Sequence, residues 1–323
     1  MVKVLIPAAG EGKRLRPHYP KPLIPVAGKP ILGQILDRVI KFKPEEIGVI
    51  INPGTPSIEE YIKENYPYNI TLIEQPEPLG LGHAIFMARE RFSNSPLLII
   101  LGDTITDVGP DIIGDENIIG VREVKDPSRF GVIEIEGGYI TDVIEKPEKP
   151  KSNLVIAGVY YFKQPKSLFE ALDYIIEKGI RTRGEYQLTD SLGLMIERGE
   201  RFKPYIIREW LDCGTPQALL STNRSLIEKE PYWRERRGVL IVPPVYIDDS
   251  ARLENSIIGP YTSICKGAEI RDSIIRDSIV MDGAEVEGVI LEKSLLGKRS
   301  RLIRETQSLN IGPGEECRLK VET

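Results

Sequence analysis

Apolar and polar positions alternate along the first third of the chain in two rhythms. Val2, Val4, Leu5 and Ile6 surround a lone Lys3 and read as a strand. From Pro30, a suitable first helical residue, Ile31, Ile35, Leu36, Val39 and Ile40 recur at helical spacing, and residues 47–51 follow as a strand. Ser57 and Glu60 have the spacing of a capping box for a helix to about residue 66; residues 70–73 read as the next strand and residues 82–92 as the next helix. The unbroken run Leu97, Leu98, Ile99, Ile100 and Leu101 suits a central parallel strand covered on both faces. This alternation predicts a doubly wound α/β sheet, in which ligands bind beyond the carboxyl ends of the strands.

From about residue 117 the pattern turns to β. Residues 132–135 and 139–144 flank Gly137-Gly138 as a hairpin, and residues 155–162 read as a further strand, so the sheet is expected to be mixed. Helices return at residues 167–178 and 187–198. Residues 201–210 are then a strand leading to Asp212, and Thr215 is the N-cap of a helix to about residue 228. The basic turn at 234–238 reads as a solvated linker. After residue 239 helix periodicity ends. Ile258, Ile264 and Ile270 recur every six residues, followed less regularly by Ile275, Val280, Val286 and Leu295. That pattern resembles the hexapeptide repeat of a left-handed parallel β-helix, with a small sandwich as the alternative. Two domains are expected, residues 1–232 and 239–323.

Composition narrows the field of partners. A formal net charge of -5 gives no global basic field for nucleic acid, so a phosphate site must be built locally. Cys213, Cys265 and Cys317 are widely separated and make neither a disulfide framework nor a zinc pattern. No apolar stretch reaches the length of a membrane span, and the reading is a cytoplasmic protein.

The chemistry gathers at the strand ends. Ala8-Ala9-Gly10-Glu11-Gly12 is nearly free of bulky side chains, so its backbone N–H groups can approach a phosphate, and Arg14 and Lys21 add the cations a triphosphate needs. A dinucleotide fingerprint would want a glycine where Leu15 stands, and a P-loop would want a longer gap before Gly12-Lys13 and a hydroxyl residue where Arg14 stands. Asp103 directly follows the buried run, as a hard oxygen ligand for Mg2+ or as a turn residue. Asp212 follows another strand, and the two could converge on one metal if those strands are neighbours. Gln75 can donate to and accept from a nucleobase edge, and Glu145 with Lys146 offers a sugar acceptor beside a phosphate cation.

The run Gly10-Glu11-Gly12-Lys13-Arg14-Leu15-Arg16-Pro17, followed by Pro20-Lys21-Pro22, resembles the signature of the sugar-phosphate nucleotidylyltransferases. The connection between the two parts is shorter here than in the family, only His18 and Tyr19. Trp210-Leu211-Asp212-Cys213-Gly214-Thr215 is similar to the segment that supplies that family's second metal-binding aspartate. Leu79-Gly80-Leu81-Gly82-His83-Ala84 is similar to its base-reading turn, closest to enzymes using UTP or dTTP. The resemblance implies a Rossmann-like nucleotidyltransferase fold and the union of a sugar 1-phosphate, glucose 1-phosphate above all, with a pyrimidine triphosphate, releasing pyrophosphate. It implies Mg2+ on Asp103 and Asp212, catalysis by Arg14, Lys21, Asp103, Lys146 and Asp212, and nucleotide contacts from Ala8, Ala9, Gly10, Gly12, Gln75 and Gly80. Gly131, Glu145 and Tyr160 would then touch the sugar, and Lys146 and Arg183 its phosphate, with His83 a packing residue.

Other readings remain beside this one: a GTP- or ATP-using relative, or a non-catalytic sensor on the same fold. A second, acyl-transferring site in the tail would call for a histidine base, and no histidine follows His83. Self-association into a homo-oligomer, or regulation, is the expected role of the tail.

Overall fold

The computed structural model describes residues 1–10 and 20–304. They fall into two compact units, divided between Pro231 and Tyr232.

The first unit is built on a mixed sheet. β1 (Lys3–Pro7) leads through a short ribbon, β2 (Pro25–Val26) and β3 (Lys29–Pro30), into α1 (Ile31–Val39) and β4 (Glu46–Ile51). α2 (Pro56–Asn65), β5 (Ile70–Glu74), α3 (Leu81–Phe86), α4 (Arg89–Phe92) and β6 (Leu97–Ile100) follow. β1 lies between β4 and β6, parallel to both, and β5 extends the parallel half beyond β4. After β7 (Thr104–Asp107) the second half is antiparallel in most of its pairings. β8 (Asn117–Glu123), β9 (Gly131–Glu136), β10 (Tyr139–Glu145) and β11 (Leu154–Phe162) join the sheet, with β11 pairing β6, β8 and β9. α5 (Lys166–Glu177), α6 (Leu188–Glu197), β12 (Phe202–Ile206), β13 (Glu209–Asp212) and α7 (Pro216–Lys229) complete the unit. The core is aliphatic and aromatic, with Leu5, Ile50, Phe92, Ile99, Phe162 and Leu172 among its buried residues.

Local corrections to the sequence reading have physical causes. Pro30 closes a strand and caps α1 rather than opening it. The capping box at Ser57 and Glu60 does not form: Pro56 takes the first helical position, so Thr55 becomes the cap and its hydroxyl donates to the Asn52 carbonyl at 2.7 Å. The helix read over residues 82–92 breaks at Met87–Ala88, where Ala88 N–H closes a tighter turn onto Ile85. The strand read over 201–210 is two strands in different sheets, β12 parallel to β8 and β13 antiparallel to β7.

The second unit is a left-handed parallel β-helix of three sheets of short strands. Paired positions along one sheet, Leu240, Ile257, Ile274 and Ile290, are offset by 17, 17 and 16 residues per coil. Ile258, Ile264, Ile270, Ile275, Val280 and Val286 fill its interior. In the last coil the buried residue is Leu296, not the expected Leu295. No helix among the described residues is long and apolar enough to cross a membrane.

Candidate active site

The carboxyl ends of β1 and β6 meet because residue 102 has no side chain. Gly102 N–H donates to the Pro7 carbonyl at 2.9 Å, and a β-carbon there would stand 2.7 Å from that oxygen. Asp103 follows directly, and β7 then pairs with β13 so that Thr104 lies opposite Asp212, while Cys213 N–H donates to the Asp103 carbonyl at 3.0 Å. Two aspartates remote in sequence thus end adjoining strands. Burial pushes the Asp212 carboxyl above its usual range, against the Gly214 N–H that donates to its Oδ1 at 2.8 Å; the charge of Asp103 raises it further, while Lys21 and Arg129 oppose. Lys21 follows the residues outside the description, and its ammonium donates to Asp103 Oδ2 at 2.7 Å.

Two cavities share Asp103, Leu81, Leu101 and Glu185. The smaller, about 310 Å3, is lined by Ala8, Ala9, Gly10, Lys21, Gln75 and Gly80, among others. Gly12 and Arg14 lie outside the described residues. Gln75 follows β5, and its amide nitrogen donates to the Gly80 carbonyl at 3.1 Å. Gly80 itself has φ 113°, a conformation a side chain would strain.

The larger cavity, about 510 Å3, brings together Gly131, Glu145, Lys146, Tyr160, Arg183 and both aspartates. Gly131 pairs with Glu145 across β9 and β10. Lys146, one residue past the strand, is left-handed at φ 42°, as is Arg183 at φ 55°. Non-glycine residues adopt that conformation at a cost, which marks both as held by their surroundings. Arg183 donates to the Lys146 carbonyl at 2.8 Å, and the Lys146 ammonium lies 2.8 Å from Glu145 Oε1. Tyr160 is buried, which raises its phenol, and the charges of Glu145 and Asp103 act in the same sense.

Other members of the cavity carried no assigned role in the sequence reading. Thr189 donates to Glu145 Oε2 at 3.2 Å, Arg129 bears on Asp212, and Glu185 lines both cavities. Trp210 also lines the larger cavity, and its buried Nε1 has no hydrogen-bond partner among the described residues. Nothing in periodicity singles out Arg129, Glu185 or Thr189; the fold brings them to the cavity lining. His83, read as packing, lies 3.2 Å from the Gln75 amide nitrogen through Nδ1.

The donor set fits a hard divalent cation. Two carboxylates stand at adjoining strands, one of them half-buried and carried upward by burial and by the other's charge, with Lys21 paired to Asp103 and Arg129 also bearing on Asp212 among the described residues.

Residues 3–229 match the nucleotidyl transferase family. The chain belongs to that family, whose relatives of this chain are sugar-1-phosphate nucleotidyltransferases. It is 37% identical over 235 residues to the bifunctional protein GlmU of Methanocaldococcus jannaschii, covering 70% of this chain and 54% of the relative. The chain therefore spans about half the length of these first curated relatives. Glucose-1-phosphate thymidylyltransferase of Streptomyces antibioticus is 31% identical over 291 residues, covering 84% of this chain and 80% of the relative. Among solved structures, a UDP-glucose pyrophosphorylase complexed with UDP-glucose aligns with a TM-score of 0.61 and 26% identity, over 71% of this chain and 99% of that one.

Proposed function

We propose that the chain condenses glucose 1-phosphate with a pyrimidine triphosphate, dTTP or UTP, to give a nucleotide-sugar and pyrophosphate. The observation that carries this reading is the pairing of β7 with β13, which brings Asp103, common to both cavities, beside Asp212, which lines the larger. The smaller cavity suits the nucleotide: a small-residue loop at a strand end for the phosphates, Lys21 beside it, and Gln75 with Gly80 for the base. The larger suits the sugar phosphate, with Glu145 for hydroxyls and Lys146 and Arg183 for the phosphate. Glucose is preferred as the sugar because a relative named for glucose 1-phosphate matches four-fifths of its own length, 80%, to this chain.

The reaction needs no general base, since the nucleophile is already a phosphate anion. Its oxygen bonds to the α-phosphorus, and the bond from that phosphorus to the oxygen of the leaving pyrophosphate breaks with its electron pair. The barrier is repulsion between polyanions, so the work of the protein is positioning and charge neutralisation. Lys146 and Arg183 hold the attacking phosphate, and Lys21 faces charge on the α-phosphate and pyrophosphate, the role the sequence also assigns to Arg14. Asp103 and Asp212 are the residues that would hold Mg2+, which would supply neutralisation of phosphate charge when bound.

The test is a panel of nucleoside triphosphates against sugar 1-phosphates, including an N-acetylated hexosamine 1-phosphate, with Mg2+, scored by pyrophosphate release. Release with UTP or dTTP and glucose 1-phosphate is the expected result. Turnover only with ATP or GTP would refute the base reading, and no turnover with any pair would favour a sensor.

A further inference from the structure

Gln75 is only 4% exposed yet lines the smaller cavity. Its amide nitrogen lies 3.1 Å from the Gly80 carbonyl and 3.2 Å from His83 Nδ1. A carbonyl can only accept, so the end of the amide that faces Gly80 must be the NH2. One amide hydrogen goes to Gly80, and the other is directed at His83, whose Nδ1 accepts it as the bare nitrogen of a neutral imidazole. Both hydrogens are then committed, and Oε1 is the end of Gln75 left to offer. The reverse orientation would set the amide oxygen against the Gly80 carbonyl oxygen with no hydrogen between them. His83 is itself held in the first turn of α3, its ring 6.5 Å from that of Tyr186. Burial lowers its basicity, opposed by Glu77 and aided by Arg181, in keeping with a neutral ring.

We propose that His83 is a positioning residue: it fixes the Gln75 amide with the carbonyl oxygen toward the ligand, making the smaller cavity select a base that presents a ring N–H, uracil or thymine, over cytosine, whose N3 is an acceptor. This rests on the assignment of Gln75 to the base in the function proposed above. His83 touches neither substrate nor reacting atoms and acts through Gln75.

The experiment measures kcat and KM for UTP, dTTP and CTP at saturating glucose 1-phosphate, with calorimetric binding of UTP and CTP as a second readout. Wild type is compared with His83→Phe, which keeps a ring against Tyr186 but removes the acceptor, and with His83→Asn, whose side-chain oxygen stands close to the place of Nδ1. The expected result for His83→Phe is a UTP KM raised about 10-fold with kcat within about 2-fold, and a UTP-over-CTP preference reduced about 10-fold, as for loss of one buried hydrogen bond. His83→Asn should recover most of that preference. A wild-type UTP-over-CTP ratio in His83→Phe, or a fall in kcat with an unchanged ratio, would overturn the proposal. If His83→Phe does not fold, His83→Leu carries the same expectation and the same refutation. A preference for CTP in the wild-type protein would overturn the base assignment itself, and the proposal with it; that failure is distinguishable because it precedes any substitution.

Discussion

Gly82 gives a prediction in which two physical arguments have opposite sign. It lies in the first turn of α3, and its N–H donates to the Tyr186 carbonyl at 2.8 Å. Helix propensity alone favours alanine over glycine by about 1 kcal/mol, so Gly82→Ala would be expected to stabilise. A β-carbon built there, however, stands 2.9 Å from that same Tyr186 oxygen and 3.1 Å from the Gln187 oxygen. Both are backbone atoms with no rotamer to move aside. The segment must shift, which loses a hydrogen bond of about 0.5–1.5 kcal/mol and adds an overpacking cost of about 1–3 kcal/mol. Set against the propensity gain, the net effect is destabilisation by about 1–3 kcal/mol, a fall of roughly 3–10 °C in Tm for a domain of this size. Gly193 in α6 is the matched control, since a β-carbon there meets nothing within 4 Å. Gly193→Ala should gain about 0.5–1 kcal/mol and roughly 2–4 °C. Thermal and denaturant unfolding of both variants reads the two signs. Because Glu185 lines both cavities and Gln187 the larger, Gly82→Ala should also raise KM for both substrates. A Tm for Gly82→Ala equal to or above wild type would refute the contact argument.

Further outcomes are expected elsewhere in the molecule. Asp103→Asn and Asp212→Asn should each reduce turnover by about 100-fold or more with little change in Tm, and near-normal activity of either would remove the acidic pair from the mechanism. Thr189→Val, which removes the hydroxyl held on Glu145 at 3.2 Å, should raise KM for the sugar 1-phosphate about 5–10-fold while kcat changes little; an unchanged KM would show that Glu145 needs no such support. For Glu46, burial raises the carboxyl, but the Thr71 hydroxyl, Lys3 and Arg91 together hold it below its ordinary value of 4.5. A depressed folded value means stability fully present above the unfolded value of about 4.5 and lost as pH falls through the folded one, so Glu46→Gln should flatten the acid side of a Tm-against-pH curve, and an unchanged curve would contradict this. In the tail, Leu240 and Ile290, 60% and 76% exposed, end a ladder of paired aliphatic residues. If that ladder joins copies of the chain, Leu240→Glu with Ile290→Glu should lower the solution mass by light scattering, whereas a monomeric wild type would exclude the role.

How much of this was legible in the sequence depends on how local each determinant is. The parallel strands β1, β4 and β6 were readable because burial on both faces demands continuous apolar residues. The inward residues of the tail were readable through Val286 for a similar reason, and the slip at Leu295 comes where the repeat has become irregular. The division of residues 201–210 was not readable, because nothing along that stretch states which partner each half will find: β12 adds to β8, β13 to β7. That pairing is also what joins Asp103 to Asp212, so each carboxylate was visible in sequence while their meeting was a conditional expectation. His83 shows the same limit on a smaller scale. Its spacing fits the packed face of a helix, and only the turn at Gly80, folded under the 185–187 segment, brings it to Gln75.

The charges around the two cavities explain why positioning and neutralisation have to be solved together. Among the described lining residues, Asp103, Asp212, Glu145 and Glu185 face Lys21, Lys146, Arg129 and Arg183, so acidic and basic groups balance. Two of the cations are already engaged, Lys21 with Asp103 and Lys146 with Glu145. The cations among the described lining residues are thus matched by carboxylates, and for these groups binding a pair of polyanions would draw on exchange of ion-pair partners. Each carboxylate that gives up its cation to a phosphate needs another partner: on the proposed function a sugar hydroxyl would serve for Glu145, and a hard cation for the pair at Asp103 and Asp212. On the proposed function, release of Lys146 toward the attacking phosphate would be tied to arrival of the sugar, and release of Lys21 toward the triphosphate to charge compensation at the aspartates. It follows that mutating either lysine alone should cost more than a lost phosphate contact, since its carboxylate partner would be left uncompensated in a partly desolvated site.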